Sequence, residues 1–149
     1  MAPITTTTEV ARPPEEVFAY VTDPARFVEW QQGVVSGHMD GDGPYGIGTR
    51  CFTTRRIGRA ERSVTSEITH IDAPGTWGVR GIDGPIRATV NVMVSPLDQG
   101  RRSQVTIELD FAGHGVGRLL VPLVVRRGAR EEMPANLRRL KERLEAEVV

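Results

Sequence analysis

Counting back from the C-terminus, Leu144, Leu140, Leu137 and Met133 recur at spacings of four, three and four. That period puts them on one helical face, with Arg138, Arg139, Lys141, Glu142 and Glu145 around the remainder. The stretch from about Gly113 to Val149 is therefore expected to contain one long amphipathic helix whose apolar stripe needs a partner surface. Arg127–Glu131, Arg138–Glu142 and Arg143–Glu147 are opposite charges four apart, each worth only ~0.2–0.5 kcal/mol, and they mark an exposed face. Gly128 and Pro134 interrupt the pattern. Pro134 has no N–H for the carbonyl of Arg130, which predicts a bend in that turn.

The partner surface is visible upstream, where the period changes to two. Thr49–Ile57, Ala60–Ile71, Thr76–Ile82, Ile86–Ser95 and Ser103–Phe111 are strand-like runs, separated at Gly58, Pro74-Gly75, Gly84-Pro85 and Gln99-Gly100. Consecutive hairpins follow. In the last pair Ala88, Val90, Val92 and Val94, with Val105, Ile107, Leu109 and Phe111, share a face. Arg87, Thr89, Asn91 and Ser95, with Thr106, Glu108 and Asp110, share the other. One dry and one wet face describe an antiparallel sheet covered on a single side, and the C-terminal helix is expected to be the cover. Ahead of this sheet, Ile4–Val10 alternates weakly and its threonines favour a strand. Pro14-Glu15-Glu16 opens a short helix with Val17, Phe18, Tyr20 and Val21 on its buried side. Thr22-Asp23-Pro24 caps a second short helix bearing Phe27 and Trp30. Val34–Met39 reads as a strand, and Asp40-Gly41-Asp42-Gly43-Pro44 as a turn.

Composition narrows the class. A chain of 149 residues suits one domain, one that buries roughly two-thirds of its unfolded surface and has room for a core and an internal cavity. Lys+Arg and Asp+Glu both number 19, so overall charge gives no reason to expect nucleic acid or an anionic membrane as partner. Arginine predominates and Lys141 is the single lysine, as a GC-rich bacterial genome would produce. Cys51 is alone, which precludes an intrachain disulfide and fits a reducing cytoplasm. Met1–Thr8 lacks a basic start and an apolar run, so no signal peptide is expected. Leu119–Val125, the longest apolar stretch, contains Pro122 and is too short to span a bilayer.

Val10-x-x-Pro13-x-Glu15-x-Val17-Phe18, Asp23-Pro24, Trp30 and Gly46-x-Gly48-Thr49, followed at the other end by Leu119-x-x-Pro122-Leu123 and Leu137-x-x-Leu140-Lys141-x-x-Leu144-Glu145, resemble polyketide cyclase/dehydrase-type proteins of the START-like (SRPBCC) superfamily. The resemblance covers nearly the whole chain. It implies an α+β helix-grip fold: a seven-stranded antiparallel sheet wrapped around a long C-terminal helix, two short helices after the first strand, and an apolar cavity between helix and sheet. Members include polyketide cyclases and lipid and hormone carriers. Arg12 stands where the family usually has a small residue, and Cys51 lies near a position where a large apolar residue is common.

A cavity protein needs apolar lining and a few polar groups that orient its ligand. The lining candidates are Trp30, Phe52, Trp77, Phe111, Leu119, Leu123 and Met133, each of which could equally fill a core. Met133 is singled out because it lies on the apolar stripe at the expected bend. Arg126 and Arg130 continue the stripe. Facing inward, a guanidinium there would hold a ligand carboxylate or enolate by paired hydrogen bonds; facing outward it would be solvated. His38, His70 and His114 lack metal-ligand spacing, so no metal is expected, and no phosphate loop or dinucleotide fingerprint is present, so no nucleotide cofactor is expected. Tyr20, Tyr45 and His70 are the remaining acid–base candidates. Cys51 lacks a sequence-adjacent base and reads as a small buried hydrophobe.

Arg50, Arg55, Arg56, Arg59 and Arg62 against Glu61 leave a local excess of four positive charges. Such a hairpin would steer an acidic partner such as an acyl carrier protein, or an anionic ligand; without interleaved aromatics it is a poor nucleic-acid surface. The sequence leaves three readings open. The first is a cytoplasmic single domain binding a small hydrophobic or aromatic, polyketide- or lipid-like ligand between sheet and C-terminal helix. The second is an aromatase/cyclase or dehydratase acting on a poly-β-ketone chain, and the third a non-catalytic interaction module using the basic hairpin. Oligomeric state is not legible.

Overall fold

The computed structural model describes residues 3–57, 59–113, 118 and 125–146. Seven strands, β1 (Ile4–Val10), β2 (Val34–Met39), β3 (Arg50–Ile57), β4 (Ala60–Asp72), β5 (Thr76–Gly81), β6 (Ile86–Leu97) and β7 (Arg102–Gly113), form one antiparallel sheet ordered β1-β7-β6-β5-β4-β3-β2. Helix α1 (Pro14–Val21), a 3-10 turn (Pro24–Arg26) and α2 (Phe27–Trp30) connect β1 to β2, and α3 (Arg126–Ala146) closes the described chain. The seven strands, two short helices and long terminal helix expected from the resemblance are all present, with strand boundaries within about two residues of those the alternation predicts.

Local chemistry accounts for the helical connection. Pro14 opens α1, with Glu15 and Glu16 in its first turn, where acidic side chains meet the positive end of the helix dipole. The Asp23 carboxylate accepts from the Ala25 N–H at 3.0 Å and caps the 3-10 turn. That turn lies directly on β2. A Cβ at Gly37 would stand 2.5 Å from the Pro24 carbonyl oxygen, so the absence of a side chain lets the two backbones meet.

One face of the sheet carries Trp77, Val92, Val94, Val105 and Ile107, which pack with Val17 and Val21 of α1 and with Leu137, Leu140 and Leu144 of α3. We call this the inner face. The C-terminal helix covers part of it, as expected, and shares the cover with the short helices: α3 lies along β1, α1 lies on β6 and β7, and α2 joins α3 to β2. The reason is width. Seven strands about 4.8 Å apart span roughly 29 Å, whereas a helix is ~10 Å across. The C-terminal half of α3 is tied down at one edge, where Lys141 Nζ donates to the Glu9 carbonyl (2.8 Å) and the Ala11 N–H donates to Glu145 Oε2 (2.9 Å). Arg12 Nη2 donates to the Glu145 carbonyl (3.2 Å), which gives the unusual arginine at that position a structural part. Helix α3 runs through Pro134 rather than ending there, with the ring on its exposed side. Of the expected helical ion pairs, Arg127–Glu131 forms at 3.9 Å, Arg138–Glu142 does not, and Glu147 lies outside the described residues. Lys141–Glu145 forms at 2.8 Å instead.

Candidate functional site

The inner face is not evenly covered. Cross-strand register carries each row from β6 onto β7: Val92 faces Ile107 and Val94 faces Val105, and all four are buried. Further along the same strands Val90 faces Leu109, Ala88 faces Phe111 and Ile86 faces Gly113, and every one of these is only half-buried. On β4, Val64 and Ser66 are also half-buried, while Ile68 is sealed. The apolar inner face therefore passes from a packed end under α1 to an incompletely covered end. Apolar side chains on the face that builds the core remain partly exposed here, beyond the reach of the described helices, and that is the arrangement of a groove or cavity floor.

A polar wall borders this floor on β3. Cys51 and Thr53 are buried on the inner side, and alternation places Arg55 on the same side. The Arg55 guanidinium donates from Nη2 to Gln31 Oε1 at 3.0 Å, just beyond α2. Burial pulls its pKa below the usual guanidinium value, and the nearby Glu132 carboxylate of α3 opposes that shift. Asn136 Oδ1 of α3 accepts from the Gln32 N–H at 3.0 Å, so α2, α3 and β3 meet here around polar groups. The Cys51 thiol is pushed up to about 11 by burial. It is therefore a thiol rather than a thiolate at neutral pH, in keeping with a small buried hydrophobe.

A second polar contact marks the start of α3. Arg126 is buried, and its Nη1 donates to Asp110 Oδ1 at 2.7 Å. Alternation puts Asp110 on the outer face, but β1 ends its pairing at Ile4 opposite Leu109. Asp110 thus lies past the last β1 pairing among the described residues, where its carboxylate reaches Arg126 while also accepting from the Phe111 N–H (2.9 Å). The side chains are 4% and 44% exposed, so the guanidinium is buried and the carboxylate half-solvated.

The residues expected to line a site are dispersed by the fold. Phe111 lies on the half-covered floor. Trp77 belongs to its packed end. Trp30 is buried on α2, edge-on to Phe27 with ring centroids 5.8 Å apart, and its indole N–H has no hydrogen-bond partner among the described residues. Met133 is buried with Leu137 and Leu140. Phe52 is corrected to the outer face, where its ring lies 5.2 Å from that of His38; the buried Cys51 and Thr53 on either side fix the register. Arg130 is exposed, one turn beyond the buried Arg126, so it does not share that burial. Leu119, Leu123 and His114 lie outside the described residues. The residues that pattern alone did not single out are Arg55, Ala88, Val90 and Leu109. The signal for Arg55 was present in the period of β3, since it falls two residues from Thr53.

None of the described acid–base candidates reaches the floor. The Tyr20 hydroxyl donates to Glu29 Oε1 (3.0 Å) and that of Tyr45 to the Gly41 carbonyl (3.0 Å). His70 lies on the outer face over Gly78, where a Cβ would collide with its ring. Among the described residues no three His, Cys, Asp or Glu side chains converge as a metal site would require, and no helix is long and apolar enough to cross a membrane. Two shallow depressions of about 330 and 310 Å³ occur on the outer face, beside His38 and Phe52 and beside Arg80 and Arg87. Neither touches the apolar floor.

The family described as polyketide cyclase/dehydrase and lipid transport matches residues 1–145. No curated protein matches the chain in sequence. Solved structures share the fold at low identity. A protein from Thermus thermophilus is 18% identical with a TM-score of 0.76, covering 99% of both chains. The Zhui aromatase/cyclase from Streptomyces sp. R1128 is 13% identical with a TM-score of 0.79, covering 96% of this chain and 93% of its own. A START superfamily protein from Mycobacterium smegmatis is 15% identical with a TM-score of 0.77, covering 97% and 98%. The shared architecture is the helix-grip fold.

Proposed function

This chain belongs to the polyketide cyclase/dehydrase and lipid transport family, and from that premise we propose that it binds a small hydrophobic or aromatic, polyketide- or lipid-like molecule between the inner sheet face and α3. One observation carries the reading: Ile86, Ala88, Val90, Leu109 and Phe111 share the face that builds the core yet stay half-buried. Burying such apolar surface releases about 25 cal/mol per Å², so a ligand that completes the cover gains from the surface that stays half-exposed. Phe111 and Arg126 are the expected site residues that lie nearest this role, with Trp30 and Met133 as buried support. The lone Cys51 fits a reducing, cytoplasmic setting. A native mass spectrum of gently purified protein tests the proposal: a retained small molecule, released on denaturation, would give the ligand's chemical class. Bare protein that also fails to take up any apolar compound would reject it.

A second reading, aromatase/cyclase action on a poly-β-ketone chain, draws on the buried Arg126. A guanidinium shielded from water would stabilise an enolate oxygen, and exposed Arg50 and Arg59 on the hairpin would meet an acidic acyl carrier protein. In that case Arg126→Met lowers turnover of a poly-β-ketone mimic more than it weakens binding, because enolate charge exists only along the reaction path. Equal losses in both would leave simple binding as the account.

A further inference from the structure

The inner face carries, beside the polar wall, two arginines that no carboxylate pairs with among the described residues. Arg55 of β3 and Arg62 of β4 are register partners, so their side chains leave adjacent strands on the same, inner side with Cβ atoms roughly 5 Å apart. Like charges so opposed destabilise a sheet. Among the described residues the one side chain bonded to Arg55 is the neutral amide of Gln31. Arg62 makes no hydrogen bond or ion pair among the described residues. Glu132 acts on Arg55 only at a distance and forms no ion pair with it. The same hairpin does neutralise an arginine on its outer side, where Arg56 meets Glu61 at 3.3 Å. Among the described residues charge is therefore paired outside, whereas inside Glu132 offsets Arg55 only from a distance. Next to the arginine pair come Thr53 and Val64, themselves register partners, and across the sheet lies the apolar floor at Ala88, Val90 and Phe111. A cationic rim above an apolar floor is the complement of an amphipathic anion.

We propose that Arg55 and Arg62 form a head-group subsite of the interior site, and that its ligand is an apolar or aromatic molecule bearing one oxyanion, a carboxylate or a phosphate monoester. This rests on the interior-binding reading above. An oxyanion lying between the guanidiniums accepts charge-assisted hydrogen bonds from both and removes their mutual repulsion. Because Arg55 is partly withdrawn from water, the attraction is screened less than at an open surface.

The test uses the whole chain loaded with the neutral dye N-phenyl-1-naphthylamine and displaces it with dodecanol, dodecanoic acid or dodecyl phosphate at neutral pH. At least one of the two anions is expected to displace the dye at a concentration about tenfold lower than the alcohol does. Preference for the acid identifies a carboxylate ligand, and preference for the phosphate a phosphate monoester. Arg62→Gln should shrink the anion-to-alcohol ratio at least threefold, and the Arg55→Gln/Arg62→Gln double variant should bring it near one, while Arg56→Gln on the outer face leaves it unchanged. Arg62 is exposed, so its replacement alone preserves the fold and decides the matter. Equal displacement by all three compounds overturns the subsite while leaving interior binding intact, as does an anion preference that survives the double variant or falls equally in Arg56→Gln. Failure to take up the dye at all rejects interior binding and the subsite together.

Discussion

Replacing Ala88 by tryptophan should plug the half-covered floor. Ala88 faces Phe111 on β7, and on its other side Gly81 contributes no side chain; a Cβ on Gly81 would stand 3.3 Å from the Ala88 nitrogen. An indole at position 88 therefore meets no side chain at Gly81 and has the Phe111 ring to pack on. If it covers ~100 Å² of apolar surface, the gain is at most about 2.5 kcal/mol. Lost side-chain entropy reduces this to roughly 0–1 kcal/mol. For a chain of this length that corresponds to a melting temperature unchanged or raised by up to ~4 °C. In a closed, fully packed interior the same substitution would overpack the site, cost about 1–3 kcal/mol, and lower the melting temperature by ~2–12 °C. Calorimetry and the naphthylamine dye titration are read side by side. The expected result is dye uptake abolished with stability retained. Met93→Trp is the control, since Met93 faces Thr76 and Thr106 on the outer side, and it should leave uptake intact. An Ala88→Trp protein that melts several degrees lower and binds dye like the parent would refute the groove.

Three further outcomes follow from named contacts. Asp110→Asn removes one charged partner of the buried Arg126 and should lower stability by roughly 1–2 kcal/mol in urea, the half-exposure of Asp110 moderating a loss that reaches 3–5 in full burial; Arg126→Met should cost less. Hydrogen bonds from Lys141 and from the Ala11 N–H hold Glu145 below the usual carboxylate range. Its stabilisation is thus complete above the unfolded pKa and fades as pH falls from about 4.5 through the folded value, so Glu145→Gln should flatten the acid limb of a stability–pH curve. Gly37→Ala would force a methyl against the Pro24 carbonyl, and equilibrium unfolding should show a loss of about 1–3 kcal/mol.

Much of the architecture was legible because its signals are local. The two-residue period of β6 and β7 set both faces, and the spacing of Leu137, Leu140 and Leu144 set the buried side of α3. The candidate site was less legible because it depends on where elements end and how strands register. The period of β3 groups Cys51, Thr53 and Arg55 on one face and Phe52 on the other, but with Thr53 and Thr54 polar on both sides it does not say which face is inward; the neighbours Gln31 and Glu132 come from distant segments. Arg126 and Asp110 meet where the described β1 pairing has ended at Ile4 opposite Leu109, which depends on strand ends rather than on pattern. The breadth of the sheet relative to one helix explains why α1 shares the cover, and that is a matter of assembled dimensions rather than of pattern.

The claim that a ligand completes the inner face is tested most directly by methyl NMR. Protein labelled at Ile, Leu and Val methyls would be titrated with the neutral naphthylamine dye. The account predicts saturable shifts at one equivalent for Ile86, Val90 and Leu109, with Val10 and Val105 at the packed end and Val28 and Val35 on the outside unmoved. Shifts confined to Val28, Val35 and the exposed Ile47, or growing without saturation, would contradict it.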